Sequence, residues 1–156
     1  MIDKGATFPA FDLPADDGKM ITSKDLAGKP YVIYFYPKDD TSGCTLEGQD
    51  FTALLPKFKA VGARVIGVSP DSVKSHCKFR DKYELKVTLA TDEDRVLIEV
   101  LGLWVDKQMY GKVYQGVERT TYLVDGKGKV AQVWRKVKVP EHAAEVFAAA
   151  KLLAVK

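Results

Sequence analysis

The residues YVIYFYPKDDTSGC, Tyr31 through Cys44, continuing as TLEGQDF to Phe51, are the stretch on which the reading of this chain turns. The first six, 31–36, form an unbroken apolar and aromatic run. Such a run suits a strand buried on both faces, in the middle of a sheet covered by helices. Pro37 has no N–H for the ladder and ends the pairing. A polar loop follows over 38–42, then Gly43, Cys44 and a helical pattern. One cysteine thus stands where a central strand gives way to the first turn of a helix. Unpaired backbone N–H groups and the positive end of the helix dipole meet there, and both favour a thiolate over a thiol.

Working outward, the helix carrying Cys44 has Leu46, Phe51, Leu54, Leu55 and Phe58 on roughly one side. Pro56 is predicted to kink or interrupt it, and Gly62 to end it. ARVIGVS, 63–69, is a second buried strand, and strand–helix–strand implies a right-handed crossover and a parallel pair. Upstream, Phe8, Phe11 and Leu13 suggest a short strand and 19–22 another, turning at Asp16-Asp17-Gly18. Ser23 is expected to cap a brief helical turn that Gly28 and Pro30 close. Downstream come a helix over 72–83, a strand over 87–90, and a helix capped by Asp94 with Val96, Leu97, Val100 and Leu101 inside. The segment 102–116 reads as a loop whose Trp104, Met109, Tyr110 and Tyr114 pack over the domain. A hairpin of 119–124 and 129–134 follows. Pro140 is expected to open a last helix with Ala143, Val146, Phe147, Ala150 and Leu153 on its inner face. The sum is an α/β protein with a mixed sheet, and β-α-β followed by β-β-α is the order of the thioredoxin fold.

At 156 residues the chain reads as one domain, 1–156, large enough for a full hydrophobic core. Its 46% hydrophobic and 29% charged residues are ordinary for a globular protein. No run approaches membrane-spanning length, and MIDKGATFPAFDL lacks a signal peptide's basic start and apolar stretch, which points to a cytoplasmic, non-membrane protein. The formal charge of +3 is spread thinly. Arg135, Lys136 and Lys138 lack the density and aromatic interleaving of a nucleic-acid surface, so no nucleic-acid partner is expected. Two cysteines, Cys44 and Cys77, are too few for a secreted disulfide scaffold and too far apart for a C-x-x-C pair. In a reducing compartment a bond between them is transient and catalytic.

Cys44 is flanked by Thr41, Ser42, Gly43, Thr45 and Glu47, which are not core neighbours, so a reactive thiol is favoured over a buried hydrophobe. A nucleophilic thiol usually works with a base. The only histidines are His76 and His142, and neither stands in a Cys–His motif; both read as surface or helix-face residues. Without a base, peptide or ester hydrolysis is disfavoured, whereas a peroxide needs only a thiolate and help for the leaving oxygen. Asp39-Asp40 and Asp92-Glu93-Asp94 are explained by loop solubility and a helix cap. No zinc-ligand spacing or phosphate-binding glycine loop is present, so no metal or cofactor is expected.

The pattern Pro37-x-x-x-Thr41-x-x-Cys44 with Glu47 resembles the active-site signature of the peroxiredoxins, thiol peroxidases on a thioredoxin fold. YFYPKDDTSGCTLE, SPDSVKSH, ATDED, MYGK and GVERTTYLVD resemble the Q-type subfamily, also called bacterioferritin comigratory protein, over essentially the whole chain. The resemblance implies that Cys44 is the peroxidatic cysteine and passes through a sulfenic acid. Thr41 would bind the substrate oxygen, and Pro37 would shield and shape the pocket. Arg119 would stabilise the thiolate and the leaving oxygen, with Glu47 accepting from the arginine. Pattern by itself makes Arg119 an exposed strand-end charge. The resemblance further implies a peroxide substrate, a thioredoxin-like reductant and a monomer.

Many Q-type members carry a second cysteine five residues after the first; here that position is Gln49. Others carry it in the helix that 72–83 forms, where Cys77 lies. At about 100° per residue, Cys77 falls on a flank of that helix, near Val73 and away from a buried stripe of Phe79 and Tyr83 with His76 close to it. A resolving role with an intramolecular Cys44–Cys77 disulfide and local unwinding is therefore expected. The alternatives are a one-cysteine enzyme served by an external thiol, a thioredoxin-like disulfide reductase, and a non-catalytic thioredoxin-fold binding module.

Overall fold

The computed structural model describes residues 2–154. β1 (Asp12–Pro14) and β2 (Met20–Thr22) form a small antiparallel ribbon that leads into α1 (Ser23–Leu26). β3 (Tyr31–Phe35) is the middle of the main sheet, and α2 (Ser42–Ala60) follows the loop after it. Then come β4 (Arg64–Ser69), α3 (Val73–Tyr83), β5 (Thr88–Thr91) and α4 (Val96–Val100). β6 (Trp104–Met109) and β7 (Lys112–Val117) make a separate ribbon. β8 (Thr120–Val124), β9 (Val130–Trp134) and α5 (His142–Ala154) complete the chain.

The sheet order is β5-β4-β3-β8-β9, parallel through β3, β4 and β5 and antiparallel where β8 and β9 join. This is the mixed sheet that the element order implies. Every residue of β3 is buried, and the reason is visible in its alternation. Tyr31, Ile33 and Phe35 enter one core with Phe8, Phe11, Ile98 and Tyr122. Val32 and Tyr34 enter a second core, under α2 and α5, with Phe51, Phe58, Phe79 and Val146. A strand with a core on each face has no polar side, so its sequence is a continuous apolar run.

Pro56 does not interrupt α2, which runs on to Ala60 with the proline on an exposed face. The helix stops as expected at Gly62 (φ 76°), whose N–H bonds Lys59 O while that of Ala63 bonds Phe58 O, satisfying the last carbonyls. Thr22, not Ser23, caps α1, accepting from Asp25 N at 3.0 Å. Asp92, not Asp94, serves α4, accepting from Ile98 N at 2.7 Å. The inner face of α4 is Leu97 and Ile98 with Leu101, while Val96 and Val100 point to solvent. α5 begins at His142, two residues after Pro140.

The largest departure is 102–116, which is a β-hairpin and not a packed loop. Tyr110 and Gly111 both have positive φ, 51° and 76°, the two-residue turn that matches strand twist. Tyr110 is 97% exposed, and Met109 and Tyr114 are exposed as well. Most of the ribbon meets solvent on both faces, so no burial imposes a period of two on its sequence.

Candidate active site

The site forms where β3 ends. The register pairs Phe35 of β3 with Thr120 of β8, which sets Arg119 beside the point where the chain leaves the sheet for α2. On the other side Tyr34 stacks on Phe51 of α2 at 4.7 Å, fixing the helix over the sheet. Cys44 is the third residue of α2 and is buried, with 3% exposure, while Thr41 and Ser42 beside it are exposed. The thiol therefore lies inside the first turn, where backbone N–H groups have no helical partners.

Arg119 unites two of the expected residues. Its Nη2 donates to Cys44 Sγ at 3.3 Å and its Nη1 to Glu47 Oε1 at 2.6 Å. A planar guanidinium can hold two acceptors at once in a fixed fork. Gly43 makes room for it, since a Cβ there would sit 3.2 Å from Arg119 Nη2. Glu47 is buried, and burial pushes its carboxyl up to about 7 against the pull of Arg119. Arg119 is held above its ordinary value by Glu47 and Cys44, in spite of its own desolvation. The expectation from pattern, an exposed strand-end charge, is thus replaced by a half-buried cation between a thiol and a carboxylate.

Thr41 is the residue before α2. Its hydroxyl donates to Lys38 O at 2.9 Å, which leaves the oxygen lone pairs free to accept. Pro37 is half-buried at the bend after β3. Cys77 is half-buried on α3 and donates to Asp16 O at 3.3 Å, so it is not joined to Cys44 here. Gln49 is exposed.

Two expectations about histidine and aspartate are corrected. His76 and His142 are both buried. His142 pairs with Thr121 Oγ1 at 2.8 Å, and burial, helped by Arg119, lowers it to about 4, so it is neutral near pH 7. Neither is bonded to Cys44, whose described polar partner is Arg119. Asp39 is not a solvated loop residue but lies buried among Tyr36, Ser75 and His76. Lys107 of β6 escaped the sequence reading. Its ammonium is lowered by partial burial and by nearby Arg119, and Gly116 across the ribbon leaves space for its stem.

A groove of about 800 Å³ is lined by residues including Phe11, Leu13, Val73 and Leu97, and not by Cys44 or Arg119. Among the described residues no group of three or more metal-ligating side chains converges, and no helix is long and apolar enough to cross a membrane.

The AhpC/TSA family matches residues 4–133. Peroxiredoxin Bcp of Xanthomonas campestris pv. campestris is 48% identical over 155 residues, covering 97% of this chain and 97% of its own. Peroxiredoxin Bcp of Bacillus subtilis is 42% identical over 146 residues, covering 94% and 93%. Among solved structures, the Xanthomonas campestris bacterioferritin comigratory protein, studied for alkyl peroxide reduction, superposes with a TM-score of 0.87 at 48% identity over 96% of this chain and 94% of that one. A cysteine-to-serine variant of Xylella fastidiosa PrxQ does so at 0.91 and 36% identity, over 97% of each. The two cysteines replaced in variants of the Xanthomonas campestris protein are separated by one helical turn more than Cys44 and Cys77. With the fold, the thiol–guanidinium pair and these relatives in agreement, the chain belongs to the AhpC/TSA family, as a thioredoxin-fold peroxiredoxin of the Q, or bacterioferritin comigratory protein, type, and it is a thiol-dependent peroxidase.

Proposed function

We propose that Cys44 reduces hydrogen peroxide and organic hydroperoxides, that Cys77 resolves it, and that a thioredoxin-like dithiol closes the cycle. The observation that carries this reading is the guanidinium of Arg119 bridging Cys44 Sγ and buried Glu47. The Cys44 thiolate attacks one peroxide oxygen, the O–O bond breaks, and the other oxygen leaves as an alkoxide or hydroxide that takes a proton from water. Arg119, whose Nη2 donates to Cys44 Sγ, faces the charge that develops as the bond breaks. Glu47 holds Arg119 in place. The Thr41 oxygen accepts from the peroxide O–H, and Pro37 shapes the loop that presents both. The alkyl peroxide reduction described for the Xanthomonas campestris relative supports an organic hydroperoxide as one substrate.

The Cys44 sulfenic acid then condenses with the Cys77 thiol, forming the disulfide and releasing water. Cys77 precedes by one turn the position that the relative's cysteine spacing suggests. What supports it as the partner is its face of α3: Arg80, one turn on, reaches the same Asp16 carbonyl that Cys77 does. The two positions therefore look the same way, so a cysteine at either is presented to the same side. We take residues 1–156 as one domain, from chain length, working in the cytoplasm, and as a monomer, as the subfamily resemblance implies.

The test is non-reducing peptide mass mapping after one equivalent of peroxide, with thioredoxin-coupled turnover of Cys77→Ser alongside. A Cys44–Cys77 link and loss of turnover in the variant are expected. No link, with turnover retained, would make the protein a one-cysteine enzyme served by an external thiol.

A further inference from the structure

Two titratable groups that the chemistry above does not use, Asp39 and His76, are buried together between the two cysteine-bearing segments. Asp39 lies in the loop before α2, two residues ahead of Thr41. Its Oδ1 accepts from the Tyr36 hydroxyl at 2.6 Å. Its Oδ2 accepts from Ser75 Oγ at 2.8 Å and from His76 Nδ1 at 2.7 Å. His76 Nε2 donates in turn to Ala90 O of β5 at 2.9 Å. The backbone N–H of Asp39 reaches Asp71 Oδ2 at 2.8 Å, just before α3 begins. Both side chains are almost fully enclosed, 0% exposed for His76 and 4% for Asp39.

Ser75 and His76 are the residues directly before Cys77. If the start of α3 unwinds to carry Cys77 toward Cys44, Ser75 and His76 must leave Asp39, and His76 must leave Ala90 O. One carboxylate thus ties the loop that delivers the peroxidatic thiol to the turn that delivers the resolving one. We propose that Asp39 and His76 are positioning residues, a latch whose release sets the rate at which the Cys44 sulfenic acid reaches Cys77. The inference rests on the Cys44–Cys77 disulfide proposed above.

The latch has a chemical consequence because the sulfenic acid has two fates. Condensation with Cys77 gives the disulfide and water. A second peroxide instead transfers an oxygen to it, giving the sulfinic acid and an alcohol or water, and the cysteine is lost. A tight latch holds the sulfenic acid longer and favours the second fate; a loose one favours the first.

The partition between disulfide and sulfinic acid decides the matter, read by intact mass across a peroxide series in the reduced full-length protein, with Asp39→Asn and the milder Ser75→Ala. The partition is a ratio within oxidised molecules and does not depend on how much protein is active. Asp39→Asn removes the charge that gathers three donors. Its disulfide should form about tenfold faster relative to sulfinic acid, the factor for one lost charge-assisted hydrogen bond. Ser75→Ala, which gives up one bond at a half-buried site, should move the same way by about threefold. Should Asp39→Asn not fold, Ser75→Ala carries the test. An unchanged partition, or a shift toward sulfinic acid, overturns the latch while leaving the disulfide reading intact. A wild-type protein that forms no Cys44–Cys77 link overturns both.

Discussion

Replacing Arg119 by lysine keeps a positive charge beside Cys44 but removes one of its two attachments. The guanidinium reaches Glu47 Oε1 at 2.6 Å and Cys44 Sγ at 3.3 Å through different nitrogens. A full charge pair at the sulfur distance is worth on the order of 5 kcal/mol at an effective dielectric of about 20, before the cation's own desolvation is subtracted. An ammonium is one point and cannot satisfy both acceptors with the same geometry. The buried carboxylate, at the shorter distance, should win it. Cys44 and the leaving oxygen then lose a directed donor, a loss of about 2.7–4 kcal/mol by analogy with oxyanion donors, or roughly 10²–10³ in rate. Fold stability should change much less, because Glu47 keeps a cation. The assay is rapid mixing of the reduced protein with peroxide, quenching with an alkylating reagent and counting oxidised Cys44 by mass, with thermal unfolding in parallel. A lysine variant that oxidises within about threefold of wild type would show that charge suffices and that the two-point geometry is irrelevant.

Two further outcomes are expected. Glu47 is raised in the fold from 4.5 to about 7, so the folded state holds its proton more tightly than the unfolded chain does. The stability this contributes is full below about pH 4.5 and is lost as pH rises through 7. Wild type should therefore lose stability relative to Glu47→Gln across that window, by about 3 kcal/mol, in denaturant titrations at successive pH values; a flat difference would contradict the burial argument. At Gly67 of β4 an added Cβ would sit 2.6 Å from Tyr34 Cζ, in a ring already stacked on Phe51. Gly67→Ala should cost about 1–3 kcal/mol, a fall of several degrees in Tm, and an unaltered Tm would mean the core yields there.

Local chemistry determined the parts of this protein that depend on neighbours along the chain. The apolar run of β3 suited a strand covered on both faces, and that is what it forms. Pro37 and the helical pattern after it put Cys44 in a helix's first turn, and Gly62 ended that helix as its φ of 76° requires. The antiparallel hairpin of β8 and β9 was legible from its turn residues and apolar strands.

What only the tertiary structure decided depends on partners brought from far along the chain. Arg119 looked like a solvated strand end, and nothing near it in sequence names its partner. The antiparallel register of β3 and β8 gives it one. Asp39 read as loop solubility and His76 as a helix-face residue, because a short polar loop and a helix flank look the same whether or not they meet. Here they meet and bury a carboxylate under three donors. The hairpin of β6 and β7 was hidden for the opposite reason, since a ribbon exposed on both faces leaves no burial pattern to read. The sequence thus announces where the thiol stands. Which cation lies beside it, and what holds its loop against the helix of Cys77, follow from strand register and from the packing of α3 on the sheet.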